Sequence, residues 1–137
     1  MEANATVVTS TPSPTVEQLL AIAIDSILEK KGQNIVSLDL RNLDDAMSDY
    51  FIICEGSSPP QIKAIADSVS DTIKKTYGEA PTYKEGFKSM EWVLLDYIDI
   101  VVHVFHTNKR FLYNLEELWG DAGIITEYDD RGKVIHR

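Results

Sequence analysis

Gly56-Ser57-Ser58-Pro59, set between an apolar run and a helical pattern, is the first place in this chain where chemistry could be done. A strand that turns through glycine into a helix N-terminus can hold a phosphate on free backbone amides. Nucleotidyltransferases combine such a Gly-Ser turn with acidic metal ligands on neighbouring strands, and here Asp96 and Asp99 are the carboxylates that would serve. Their spacing discourages it. Two ligands on one strand share a face at i, i+2, whereas these stand at i, i+3 around a turn. No basic residue lies within Gly56–Gln61 to meet a triphosphate. His103 and His106 are also three apart, so on one strand they point to opposite faces and cannot share a metal. Cys54 is alone inside the apolar run Tyr50–Cys54, where burial raises a thiol pKa, and it reads as core rather than nucleophile or zinc ligand. Ser57 and Ser58 have no histidine in a hydrolase context. The expectation is no catalytic group, no cofactor and no metal.

The elements that carry these residues follow from periodicity and punctuation. Thr15 with Gln18 has capping-box spacing, and Leu19, Leu20, Ala23, Ile27 and Leu28 recur at helical intervals. Glu29-Lys30-Lys31-Gly32 closes that helix, with Gly32 suited to a left-handed cap. Ile35–Leu40 is a strand, Arg41–Ser48 a polar loop, and Tyr50–Cys54 a central strand buried on both faces. Ser58 as N-cap, Pro59 at the first helical position and Gln61 completing a second capping box open a helix over 59–77. Its stripe is Ile62, Ile65, Ala66, Val69 and Ile73, and it ends near Gly78. A polar strand at Thr82–Lys84, interrupted by Gly86, precedes a hairpin of Trp92–Asp96 and Ile100–Phe105 around Tyr97-Ile98-Asp99. Asn108 can cap a last helix carrying Phe111, Leu112, Leu115, Leu118 and Trp119, with Gly120 at its end, and 124–137 reads as a weak strand and a loose tail. This order predicts an α/β fold, more fully an α+β mixed sheet with packed helices.

Composition narrows the function classes. The 137 residues carry 22 Asp+Glu against 13 Lys+Arg, a net charge of −9, with 44% hydrophobic residues. That balance opposes non-specific nucleic-acid binding and docking on anionic lipid, and favours a basic partner. Residues 1–14, rich in Ala, Thr, Ser and Pro, read as a disordered tail without signal-peptide character; 15–123 is the expected domain and 124–137 a C-terminal extension. No apolar run approaches the roughly 20 residues of a membrane span, and one cysteine excludes an internal disulfide, so a cytoplasmic protein is expected. What remains is a surface. Along Trp92–Tyr97, Trp92, Leu94 and Asp96 fall on one side of the strand and Val93, Leu95 and Tyr97 on the other. If one side faces the helices, the other offers an acid-rimmed aromatic edge suited to protein binding, unless both faces are covered.

Several blocks in order resemble the ribosomal silencing factor family, also called Iojap-like proteins and abbreviated RsfS. They are Ser48-Asp49-Tyr50-Phe51-Ile52-Ile53-Cys54, Gly56-Ser57-Ser58, Gln61–Asp67, Glu85-Gly86, Trp92–Tyr97, Val101–Phe105, and Arg110 with Tyr113–Glu116 and Leu118–Ala122. The likeness spans about Leu19 to Ala122. One departure is Ile98, where the family commonly has glycine; a β-branched residue resists φ > 0, so a longer or differently shaped turn is expected there. The resemblance implies a fold distantly similar to nucleotidyltransferases without their catalytic carboxylates. It also implies binding to the large ribosomal subunit, through the fourteenth large-subunit ribosomal protein at the face where the small subunit docks. The bound factor would block subunit joining and repress translation. With a charge of −9, the anchor is expected on Trp92, Leu94, Asp96, Tyr97 and Asp99. His103 flanks it or is a structural histidine, and Arg110 flanks it or braces the last helix. Two other readings stay open: a Mg²⁺-dependent nucleotidyltransferase-like enzyme using Gly56, Ser57, Asp96 and Asp99, and a partner-binding adaptor or homodimer joined through the same hairpin.

Overall fold

The computed structural model describes residues 13–46, 48–115 and 124–135. Helix α1 (Val16–Glu29) starts as its spacing predicts, with Thr15 Oγ1 accepting from the Gln18 amide and Gln18 Oε1 accepting from the Thr15 amide. Its end differs from expectation. Lys31, not Gly32, takes the left-handed conformation (φ 62°), and the amides of Lys31 and Gly32 bond back to the carbonyls of Leu28 and Ile27, the pattern of a Schellman cap. Gly32 is needed for space instead, since a Cβ there would lie 2.3 Å from Ile27 Cγ2.

Strands β1 (Gln33–Asp39) and β2 (Tyr50–Gly56) follow, then helix α2 (Pro59–Tyr77). Ser58 caps α2 by accepting from the Gln61 amide. The second capping box is only half built, because Gln61 Oε1 takes the Ser57 amide, one residue earlier than the cap. The Gln61 amide nitrogen instead donates to the carbonyls of Lys30 and Lys31, tying the start of α2 to the end of α1. Strands β3 (Tyr83–Glu85), β4 (Trp92–Asp96) and β5 (Ile100–His106), the short helix α3 (Arg110–Tyr113) and β6 (Ile124–Glu127) complete the order.

The six strands form one mixed sheet in the order β3-β4-β5-β2-β1-β6, with β2 and β5 parallel at its centre and the other pairs antiparallel. Both helices pack on one face, where Leu19, Ala23, Ile27, Ile62, Ile65, Val69 and Ile73 meet Ile35, Ile52, Cys54, Val93, Leu95, Val102 and Val104. The other face carries a smaller cluster of Val36, Leu38, Leu40, Ile53, Phe105 and Leu115, with Phe51 and Trp92 packed against it. The central strand is therefore buried on both sides, as its unbroken apolar run predicts.

The last third departs most from the pattern-based reading. Helix α3 is four residues long, its N-cap is Lys109 without a side-chain bond, and the Asn108 amide donates to His106 Nδ1. Leu118, Trp119, Gly120 and His136 lie outside the described residues. Residues 124–127 add β6 to the sheet beside β1, and 128–135 are not loose: Tyr128 bridges to Val134, and the Tyr128 hydroxyl is 3.0 Å from Ser37 Oγ.

Candidate partner-docking face

Strand β4 alternates cleanly. Val93, Leu95 and, just beyond the strand, Tyr97 are buried towards the helices, and Trp92, Leu94 and Asp96 are half-buried on the opposite face. Residues paired across a ladder share a face, so the register extends this outward row sideways. Leu94 sits between Glu85 of β3 and His103 of β5; Asp96 sits between Tyr83 and Val101; Trp92 pairs with Phe105. Tyr83 and Glu85, both exposed at the sheet edge, thus join the row, and periodicity missed them because register across β3 and β4 is not written in either segment. Glu91 adds a further carboxylate, 4.0 Å from Lys109 Nζ. A depression of about 280 Å³ lies here, lined by Glu85, Gly86, Ser89, Glu91, Trp92, Leu94 and Tyr113. Gly86 is required at its edge, because a Cβ there would fall 1.9 Å from the Trp92 carbonyl oxygen.

Under the row is an aromatic floor. The Trp92 ring stands 5.1 Å from Phe105 and 4.6 Å from Tyr113, and Phe51 meets His103 edge-on at 4.6 Å. The Trp92 indole Nε1 donates to His103 Nδ1 at 3.0 Å. His103 is 3% exposed, and its Nε2 is buried with no hydrogen-bond partner among the described residues. Burial pushes the imidazole pKa down to about 3, because the charged form loses its water. Of the two readings of His103, the structure therefore supports the structural one: it is buried beside Leu94 among Phe51, Trp92 and Phe105 and is not an exposed flank of the patch.

Two more expected surface residues are withdrawn from it. Tyr97 is 5% exposed and belongs to the helix-side core, where burial pushes its hydroxyl up to about 12. Arg110 is 6% exposed; its Nη1 lies 3.1 Å from Glu55 Oε1 and donates to the Asn34 carbonyl. It braces α3 against the sheet, the second of its two readings. Glu55 was the available signal, a carboxylate continuing an apolar central strand that calls for a buried cation.

The hairpin tip is tightly held. Asp96 Oδ1 accepts from the Ile98 amide at 2.7 Å, the Asp99 amide donates to the Tyr97 carbonyl at 2.9 Å, and the Tyr97 amide to the Ile100 carbonyl at 2.8 Å. Ile98 does not avoid the left-handed region: it takes φ +75° inside a three-residue γ-type turn. The Asp99 carbonyl receives the amides of Asp49 and Tyr50, fastening the tip to the start of β2, while the residue itself stays exposed.

The nucleotidyltransferase constellation is not assembled. Tyr50 pairs with Ile100 and Gly56 with His106, so Gly56 and the Asp96–Asp99 tip occupy opposite ends of the sheet. Six residues of strand separate them by about 20 Å. The Ser57 amide, moreover, is already taken by Gln61. Cys54 is buried, with its thiol pushed up to about 12 by burial. Among the described residues no group of three or more His, Cys, Asp or Glu could hold a metal, and no helix is long and apolar enough to cross a membrane.

Comparison with known proteins gives a consistent result. A family model described as "ribosomal silencing factor during starvation" matches residues 13–136. The chain is 42% identical over 106 residues to the ribosomal silencing factor RsfS of Bacillus subtilis, covering 77% of this chain and 88% of the relative. It is 39% identical over 106 residues to that of Halalkalibacterium halodurans, covering 77% and 89%. It is also 33% identical over 123 residues to the chloroplastic protein Iojap of Arabidopsis thaliana, covering 83% of this chain and half (50%) of that protein. A crystal structure of a Chromobacterium violaceum protein superposes with a TM-score of 0.74 at 36% identity, covering 78% of this chain and 88% of that one.

Proposed function

This chain belongs to the ribosomal silencing factor family, and from that premise we propose that it acts without catalysis, as a wedge on the free large ribosomal subunit. The outward row of Trp92, Leu94 and Asp96, rimmed by Glu85, Glu91 and Asp99, is the observation that carries the reading. Its chemistry selects the partner. Ribosomal RNA is a polyanion, so a protein of charge −9 can lodge on a ribosome only where it meets a basic protein surface. The fourteenth large-subunit ribosomal protein, at the face that receives the small subunit, is the proposed partner. Trp92 and Leu94 are desolvated on docking, and the carboxylates meet Lys or Arg.

The mechanism is steric competition in the cytoplasm. An interface of standard size, about 1,600 Å² in total, does not readily pry apart two joined subunits, but it can occupy a free large subunit and bar its partner. Translation is repressed because the pool of free large subunits is withdrawn, and an excess of small subunits relieves the effect.

Co-sedimentation with isolated large subunits tests this, using Leu94→Lys combined with Glu85→Lys. Leu94 belongs to neither apolar cluster and Glu85 is exposed, so the double variant keeps its circular dichroism spectrum. The expected result is loss of co-sedimentation and restored subunit joining by light scattering. A folded double variant that still binds, or a wild-type chain that never does, overturns the reading. Saturable nucleotide binding with Mg²⁺ would favour the enzyme instead.

A further inference from the structure

Among the described residues Ile98 is the only β-branched one with positive φ, and its side chain is largely exposed. Its φ of +75° lies in the left-handed region that a β-branched residue rarely enters. Its side chain is 60% exposed and belongs to neither apolar cluster. The strain is imposed from outside the residue: the Asp96 carboxylate holds the Ile98 amide, the Asp99 amide closes on the Tyr97 carbonyl, and the Asp99 carbonyl is gripped by two amides of the β2 strand and its approach. Strained residues of this kind persist only where their surroundings over-determine them, and they gather at binding and switch sites. Glycine would satisfy the same turn without strain.

We propose that Ile98 is a contact residue of the docking face, presenting its side chain to the aliphatic stems of Lys or Arg on the basic surface that Asp96 and Asp99 meet with their charge. The proposal rests on the docking reading above and names one more residue of that site. The flanking carboxylates choose the chemistry. A purely apolar partner would have to strip Asp96 and Asp99 of water without compensation. Lys and Arg side chains supply both parts, an apolar stem for Ile98 and a cationic head for the carboxylates. Because the tip is already rigid, little further ordering is needed on binding.

Binding of the full chain and three variants to isolated large subunits, together with their melting temperatures, tests this. Ile98→Asn tolerates positive φ and keeps the turn but removes the apolar group; Ile98→Gly removes the group and the strain; Ile98→Leu keeps apolar bulk. The Asn and Gly variants are expected to bind about tenfold more weakly while melting no lower than wild type, whereas Ile98→Leu stays within about twofold. Asn binding as tightly as wild type overturns the proposal, as does weakness confined to Gly, which would make rigidity rather than the side chain responsible. A Leu variant as weak as Asn, or lower melting temperatures for both Asn and Gly, does the same. Failure of the wild-type chain to bind removes the docking reading itself and this proposal with it.

Discussion

The indole Nε1 of Trp92 donates a 3.0 Å hydrogen bond to Nδ1 of His103, so the half-buried tryptophan of the outward row is fastened to an imidazole that is almost wholly buried. The neutral ring is required, since a protonated Nδ1 would turn from acceptor to donor and face the indole N–H. The outward row, which we propose as the docking surface, is thereby tied to a titratable group that solvent does not reach.

The pH dependence follows in sign. Burial holds folded His103 at about 3, against 6.5 for the free side chain. Between those values the unfolded chain binds the extra proton, so the stability is complete above about pH 6.5 and is lost as pH falls towards 3. A single proton limits the slope to about 1.4 kcal/mol per pH unit. His103→Gln, which keeps an acceptor for the indole, should flatten the decline in melting temperature between pH 7 and pH 5. Carboxylates titrate mostly below that window, so parallel curves for wild type and variant would exclude the imidazole as the source.

The Arg110–Glu55 pair should govern stability rather than docking. Arg110→Ala leaves Glu55 buried without its cation and should cost about 3–5 kcal/mol in urea unfolding. Pairing Arg110→Met with Glu55→Gln should recover most of that loss, because no uncompensated charge remains. The refolded single variant should bind large subunits as wild type does.

The first helix cap makes a cleaner stability test. Lys31→Gly relieves a left-handed residue and should stabilise by up to about 1 kcal/mol. Gly32→Ala should lower the melting temperature, because its Cβ would collide with Ile27. The opposite pair of results would reassign the cap to Gly32.

Charge and burial in the docking row should separate kinetically. Asp99→Asn removes an exposed rim charge and should slow association with large subunits and weaken its salt dependence, leaving dissociation unchanged. Trp92→Ala should instead speed dissociation, at a cost of about 2 kcal/mol or more in affinity. It should also lower stability, since Trp92 packs on Phe105 and Tyr113.

The hairpin illustrates how far the residues alone reach. The alternation from Trp92 to Tyr97 is a period-two signal that groups Trp92, Leu94 and Asp96 on one side, but which side faces outward was decided only by the packing of the helices on the other. Tyr97 falls on the other side in the same alternation, and the structure places it in the helix-side core, not with the anchor residues. Ile98 shows the limit of a local rule: isoleucine disfavours positive φ, yet several hydrogen bonds from the tip and the β2 approach impose it.

The N-caps Thr15 and Ser58, the main strand runs, the alternation of β4 and the net charge of −9 were determined by the sequence itself, because each depends on neighbours within a few residues or on a sum over the whole chain. Only the tertiary structure decided that His103 is buried beside Leu94, that Arg110 pairs with Glu55, that Tyr83 and Glu85 border Leu94 and Asp96, and that Gly56 stands far from the Asp96–Asp99 tip. Those facts depend on which strands lie side by side and in what register. Strand adjacency is chosen by long-range burial, and no local pattern encodes it.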